Sequence, residues 1–284
     1  MKKRMEKSSF LAGSFAGVLI FYILPFGYLI YYSFVDRPVG GSFAGWNNYI
    51  ELLHNQAFLT ALKNTILFAA VSVPLAVTLS LVMAVVLEKN IPGRSLFRTI
   101  FLSPLMVPSA SVMLVWQVLF YYNGTINRFF LKLGHGKIDF MNSGYGLLVV
   151  LLIFLWKNLG YYMIIYMAAL NEVPRELLEA ATIDGGSDAQ KFWYIKLPYL
   201  SPSILFVCLM AIIGSFKIFK EVYLLAGAHP SASLYLLQHF MNNTFLAFDY
   251  QKLATAAVLL SIGLTIVVTA LLWLEGRLGR DLEG

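Results

Sequence analysis

The sequence predicts an all-α membrane protein: six transmembrane helices, both termini cytoplasmic, and a cytoplasmic helical loop between helices four and five. Three observations predict it. The 284 residues are 59% hydrophobic and only 13% charged, with a mean hydropathy of +0.72. Six apolar segments are each long enough to cross a hydrocarbon core of about 30 Å as a helix. Lys and Arg gather on one side of the chain those segments imply. A water-soluble domain carries about 25% charged residues, so a soluble enzyme is excluded. With 21 Gly, 10 Pro and one Cys, collagen-like, disordered and disulfide-rich classes go too. A span takes about 20 residues, so this length holds six or seven spans and not twelve. Cys208 lies in an apolar run and reads as packing.

The first segment, 8–34, follows a basic start of Lys2, Lys3, Arg4 and Lys7. A signal peptide also starts so, but its apolar region is only about 7–15 residues, and this segment reads as a retained span. The second covers 64–87 and the third 99–122. The fourth, 143–170, carries Lys157. The fifth, 199–226, carries Lys217, Lys220 and Glu221 near its far end. The sixth covers 253–274. Helix is the structure available to each, because backbone groups in lipid must be satisfied internally. Residues 1–284 read as one transmembrane domain.

Orientation follows from charge. With the N-terminus inside, the inner pieces 1–7, 88–98, 171–198 and 275–284 hold twelve of the 21 Lys and Arg, and the outer pieces hold six. This bias places both termini in the cytoplasm. The pI of 9.2 is then a membrane signature and not a sign of nucleic acid.

The inner loop 171–198 has strong helical punctuation. Pro174 suits a first helical turn. Leu177, Leu178 and Ala181 recur at helical spacing. Gly185 and Gly186 supply a left-handed stop. Ser187 with Gln190 forms a capping-box pattern for a second short helix, and Pro198 is expected to end it. The first helix offers Arg175 against Glu176, Glu179 and Asp184. An anionic membrane surface would favour the opposite charge, so docking in a partner's groove is the better reading.

Polar groups inside the spans mark functional positions. In span four these are Lys157 and Asn158, beside Trp156 and Tyr161. In span five they are Lys217 and Glu221, four apart and so on one helix face. Each has two readings. Lys157 is a solute contact or an interhelical hydrogen bond. Lys217 and Glu221 are solute contacts or a structural salt bridge. There is no G-x-x-x-x-G-K-[ST], no H-E-x-x-H and no Cys cluster, so neither a phosphate loop nor a metal site of those types is written in the chain.

One pattern is specific. Glu179-Ala180-Ala181, three residues, Gly185, nine residues, Ile195, one residue, then Leu197-Pro198 resembles the EAA loop of importer permeases. These are the membrane subunits of binding-protein-dependent ABC importers. Asp184 before the glycine and Phe192 after it fit as well. Arg94, Phe97, Arg98, Pro104, Pro108 and Trp116 resemble the third span of carbohydrate-type permeases. Asn123, Gly124 and Asn127 resemble the segment after it. Trp156 and Gly160 resemble span four. Gly214, Phe216, Phe219 and Glu221 resemble the end of span five. The group is similar to maltose-, lactose- and glycerol-3-phosphate-type permeases. One stretch departs from it: Ala226-Gly227-Ala228-His229-Pro230 stands where the family often has a Thr-Gly-Gly-Gly-Pro-like run.

The resemblance implies a permease forming half of a solute pathway for a sugar or oligosaccharide in a bacterial or archaeal cell membrane. It implies a second, different permease chain, two cytoplasmic ATPases and an external solute-binding protein. ATP and Mg would sit on the ATPases, with no cofactor on this chain. Glu179, Ala180, Ala181, Asp184 and Gly185 would form the coupling helix. Trp156, Lys157, Asn158, Tyr161, Phe216, Lys217 and Glu221 are the candidates for the solute pathway. The alternative is a dimeric secondary carrier, which needs coupling acids at the midplane; Glu221, near the end of its segment, is the acid on offer. An intramembrane enzyme would need clustered His or Asp at one face, and the four His (54, 135, 229 and 239) are scattered.

Overall fold

A computed structural model describes residues 13–89 and 92–278, with the side chains of residues 277 and 278 outside that description. The basic start, the first residues of span one and the tail from 279 lie outside the described residues. The described chain is helical: α1 Gly13–Ser33, α2 Asn47–His54, α3 Gln56–Glu88, α4 Arg94–Met106, α5 Ser109–Phe120, α6 Thr125–Lys132, α7 Gly146–Glu172 and α8 Arg175–Ile183. Then follow α9 Asp188–Lys191, α10 Ser201–Lys217, α11 Phe219–Ala226, α12 Leu237–Leu246 and α13 Tyr250–Leu278. Among the described residues, extended pairing is limited to an isolated bridge between Val35 and Phe43.

Five stretches are long and apolar enough to cross a membrane unbroken: Gly13–Ser33, Gln56–Glu88, Gly146–Glu172, Ser201–Ala226 and Tyr250–Gly276. A sixth is broken. α4 and the helix that follows it bend by 101°, where the sequence suggests one segment from 99 to 122. The cause is local. Pro108 disfavours helical dihedrals at the residue before it, and Val107 is extended at φ −84°, ψ 132°. α3 begins at Gln56, eight residues before the expected start. At 33 residues it is about 50 Å long.

At two other prolines the helix runs on, by one device. Pro198 does not end the second short helix. A π turn over Phe192–Lys196 leads into Leu197–Tyr199 and on toward α10. In α1 a π turn over Leu19–Ile23 precedes Pro25 in the same way. Leu197 N–H bonds to Phe192 O and Leu24 N–H to Leu19 O. These five-residue steps widen the coil ahead of a ring that would strike the carbonyl four residues back.

The chain forms two compact units. In the first (13–59 with 240–266), the Ser33 and Tyr49 hydroxyls are 2.7 Å apart, and Asn48 Nδ2 donates to Ser33 O and Val35 O. Phe34, Trp46 and Tyr49 pack as an aromatic cluster, and Phe58 packs edge-on to Phe240.

The second unit (60–239 with 267–278) centres on α7, whose Val150, Phe154, Met163, Tyr166 and Leu170 are buried among side chains of α3 and α10. Of the most apolar stretch of α7, 44% is buried, against 0% for α1. α1 therefore leaves its apolar surface for lipid or another chain. Gly160 sets the approach of α4 to α7: a Cβ there would stand 1.8 Å from Phe101 O. After α11 the chain is pinned back. Asn64 Nδ2 donates to Ala232 O (2.7 Å) and Tyr235 O (3.0 Å), and Leu237 N–H donates to Thr65 Oγ1. His239 is fully buried beside Phe219. Its Nδ1 accepts from Leu236 N–H, and burial pushes its pKa down to about 4.

Candidate functional site

Two groups of residues carry the chemistry. The first is the helical segment between spans four and five. Pro174 precedes α8, with Glu176 in its first turn, where the helix dipole favours an acid. Gly185 N–H bonds to Thr182 O (3.1 Å) and Gly186 N–H to Ala181 O (2.8 Å). Together they form a Schellman stop. Gly185 sits at φ +79°, a conformation glycine enters without steric penalty. Ser187 and Gln190 then form a complete capping box. The expected helix, turn and second helix therefore stand as the sequence suggests. No residue of α8 is buried, and Ile183 is 87% exposed at its end. Glu179, Ala180, Ala181, Asp184 and Gly185 together form the exposed end of a preformed element.

The second group lies in the spans. Lys157, near the middle of α7, pairs with Glu221 Oε1 in α11. Lys157 Nζ also donates to Ser109 Oγ at 2.8 Å, and that hydroxyl donates to the same Glu221 oxygen at 3.3 Å. Ser109 is the first residue after the break in span three. One triad therefore joins spans three, four and five. Glu221 is 5% exposed in its side chain and Lys157 24%. Gln117 Nε2 adds a second tie, donating to Leu224 O at 2.7 Å.

Not every candidate joins this triad. Lys217 is exposed while Glu221 is buried, so the two do not share the face that a four-residue spacing suggests. The reason is Ile218, whose ψ of −17° tightens the turn between α10 and α11. Asn158 Nδ2 donates to Phe154 O of its own helix. Tyr161 stacks at a tilt on Tyr162, and Phe216 is half-buried. Trp156 does lie near the triad's helices: it meets Trp116 of α5 edge-on at 5.8 Å, and Trp116 stacks on Phe120. Sequence reasoning missed Ser109 as the third member. Its signal was Pro108, a helix breaker directly before a hydroxyl inside an apolar run.

Among the described residues, no group of three or more His, Cys, Asp and Glu could hold a metal ion. The arrangement can hold a charge pair away from water and brace a broken helix, and it can dock a short helix. That is the equipment of a multi-pass membrane transport subunit. Residues 76–283 match the family of binding-protein-dependent transport system inner membrane components, and the chain belongs to that family. It is the permease component of an ABC importer, and the secondary carrier is not favoured. The sn-glycerol-3-phosphate transport system permease protein UgpA of Yersinia enterocolitica is 30% identical over 257 residues, 87% of each chain. The probable ABC transporter permease protein PH1215 of Pyrococcus horikoshii is 30% identical over 269 residues, 90% of each. The fold is shared with a chain of a bacterial ABC transporter involved in alginate import, at TM-score 0.83 and 19% identity, covering 97% of this chain and 96% of that one.

Proposed function

We propose that this chain is one permease domain forming half of the pathway of a sugar or oligosaccharide importer. In this reading both termini lie in the cytoplasm of a bacterial or archaeal cell, and α8 is the helix that sits in a groove on a cytoplasmic ATPase. A second, different permease completes the pathway. Two ATPases bind and hydrolyse Mg-ATP beneath it, and an external binding protein delivers solute. This chain hydrolyses nothing itself. ATP-driven closure of the ATPases moves α8 and turns the pathway outward, because ATP binds the two states unequally.

The observation that carries this reading is the segment 174–198. It is exposed, locked by a Schellman stop and a capping box, and it bears the Glu179-to-Pro198 pattern. A preformed helix loses little entropy on docking. The likeness to glycerol-3-phosphate-type permeases supports a polyhydroxylated solute. Trp116 and Trp156 beside the Lys157 triad supply ring faces and charges suited to such a molecule. We assign Trp156, Lys157 and Glu221 to the pathway wall, with Asn158, Tyr161, Phe216 and Lys217 as further candidates.

The test is assembly. The chain is co-expressed with its second permease and ATPase, and the ATPase is recovered on the tagged permease. Gly185→Val should break the stop and lower recovery or ATP-linked transport at least about tenfold, about 1.4 kcal/mol in coupling. Normal recovery together with normal transport would sink the coupling assignment.

A further inference from the structure

The segment that follows α8 returns to the bundle through a second ion pair. Lys196 Nζ donates to both carboxylate oxygens of Glu88, each at 2.7 Å. Glu88 is the last residue of α3, and Lys196 is the last residue of the π turn. Their side chains are 27% and 19% exposed, so the contact is partly withdrawn from water, where charge-assisted bonds are strongest. Ala84 and Leu87 of α3, Leu170 of α7 and Leu200 ahead of α10 are buried in one apolar cluster. Glu88 is the residue after Leu87, and Lys196 lies four before Leu200. The ion pair therefore caps a packed joint.

Lys196 stands at the end of the π turn, where it meets Glu88. One extra residue in the coil rotates everything after it by about 100° relative to an unbroken α-helix. Leu200, which follows the turn, is buried in the core. α8 has no such anchorage. It buries no residue, and a cavity of about 660 Å³, lined by Glu88, Arg175, Glu179, Thr182, Lys191 and Lys196, lies between it and the end of α3.

From this we infer that Glu88 and Lys196 form a transmission clasp: they carry displacement of the coupling segment to α3, a span the segment does not adjoin in sequence. α10 receives that displacement through the chain itself. α3 receives it through a noncovalent contact, and the bidentate pair is a polar link suited to both pulling and pushing. The two are positioning residues and touch no solute. The inference rests on the coupling role proposed for α8.

The test uses the assembled importer in lipid, with Mg-ATP as the probe and a hydrolysis-deficient ATPase to hold the closed state. Cysteines placed at Val82 on α3 and Leu148 on α7, both exposed, carry spin labels in a Cys208→Ser background. The ATP-driven change in their distance is then read. Glu88→Gln and Lys196→Met should each cut that change about twofold or more, and the exchange Glu88→Lys with Lys196→Glu should restore it. Complex yield is measured alongside, and Lys196→Gln stands in should Lys196→Met fail to assemble. A full distance change in the single variants, or an exchange variant that assembles and stays defective, overturns the clasp. Gly185→Val separates the two ideas. If it leaves assembly and the distance change intact, the coupling role itself fails. If it abolishes the change while the Glu88 and Lys196 variants keep it, the clasp alone fails.

Discussion

Replacing Lys157 with methionine tests the intramembrane triad most directly. The substitution conserves length and apolar stem but removes the ammonium. Glu221, 5% exposed, then keeps one hydroxyl donor, Ser109 at 3.3 Å, and no counter-charge among the described residues. Breaking a buried pair from one side costs about 3–5 kcal/mol, because the remaining charge is stranded. The mirror substitution should cost less. Glu221→Gln leaves an oxygen that accepts a hydrogen bond, and Lys157, 24% exposed, can draw its ammonium toward water. That places it near 1–2 kcal/mol. Removing both charges (Lys157→Met with Glu221→Gln) should return stability to within about 1–2 kcal/mol of the starting protein. The ranking, not the absolute scale, is the decisive result. Thermal midpoints in detergent, at roughly 2–4 °C per kcal/mol, should order Lys157→Met below Glu221→Gln, with the double variant above Lys157→Met. A Lys157→Met midpoint equal to that of the starting protein, or a double variant that simply sums the two losses, would refute the triad.

Four further outcomes are expected. Gly160→Ala sets a Cβ 1.8 Å from Phe101 O, so α4 and α7 must separate at a cost of about 3 kcal/mol. Gly263→Ala, with nothing within 4 Å, should leave the midpoint unchanged or slightly raised. His239 has a folded pKa of about 4, below its ordinary value near 6.5. The folded state thus binds fewer protons than the unfolded one across that window. Stability should be complete above about pH 6.5 and fall by roughly 3 kcal/mol as pH drops to 4; unfolding midpoints of the starting protein and His239→Gln, compared at pH 7 and 4.5, check it. The chain purified alone should show no ATP turnover, and robust turnover by a clean preparation would overturn the division of labour.

Much of the fold was legible because it is local. A long apolar run cannot stay in lipid except as a helix, so each apolar run could be read as helical. The segment 174–198 was legible for the same reason. A left-handed glycine stop and a Ser-Gln capping box involve residues three to five apart, and both formed as read. The break in span three was less legible, though Pro104 and Pro108 stood in plain view. An apolar window averages over a kink, and the extended Val107 that makes the 101° bend is invisible to it. Pro198 misled in the opposite direction, since a π turn let the helix run through it.

Pairing between elements is what a one-dimensional reading could not supply. Spacing along one helix offered Lys217 as the companion of Glu221. The structure gives it Lys157, 64 residues away, with Ser109 farther still. Glu88 and Lys196 lie 108 residues apart, and neither drew notice as part of a pair. The sequence by itself determined the medium the chain lives in, the number of apolar segments and the family its helical loop belongs to, since these depend on composition and short-range backbone chemistry. Only the tertiary structure decided which charges meet and where span three breaks. A buried charge is settled by the partner that replaces its lost water, and that partner is chosen by how the helices pack.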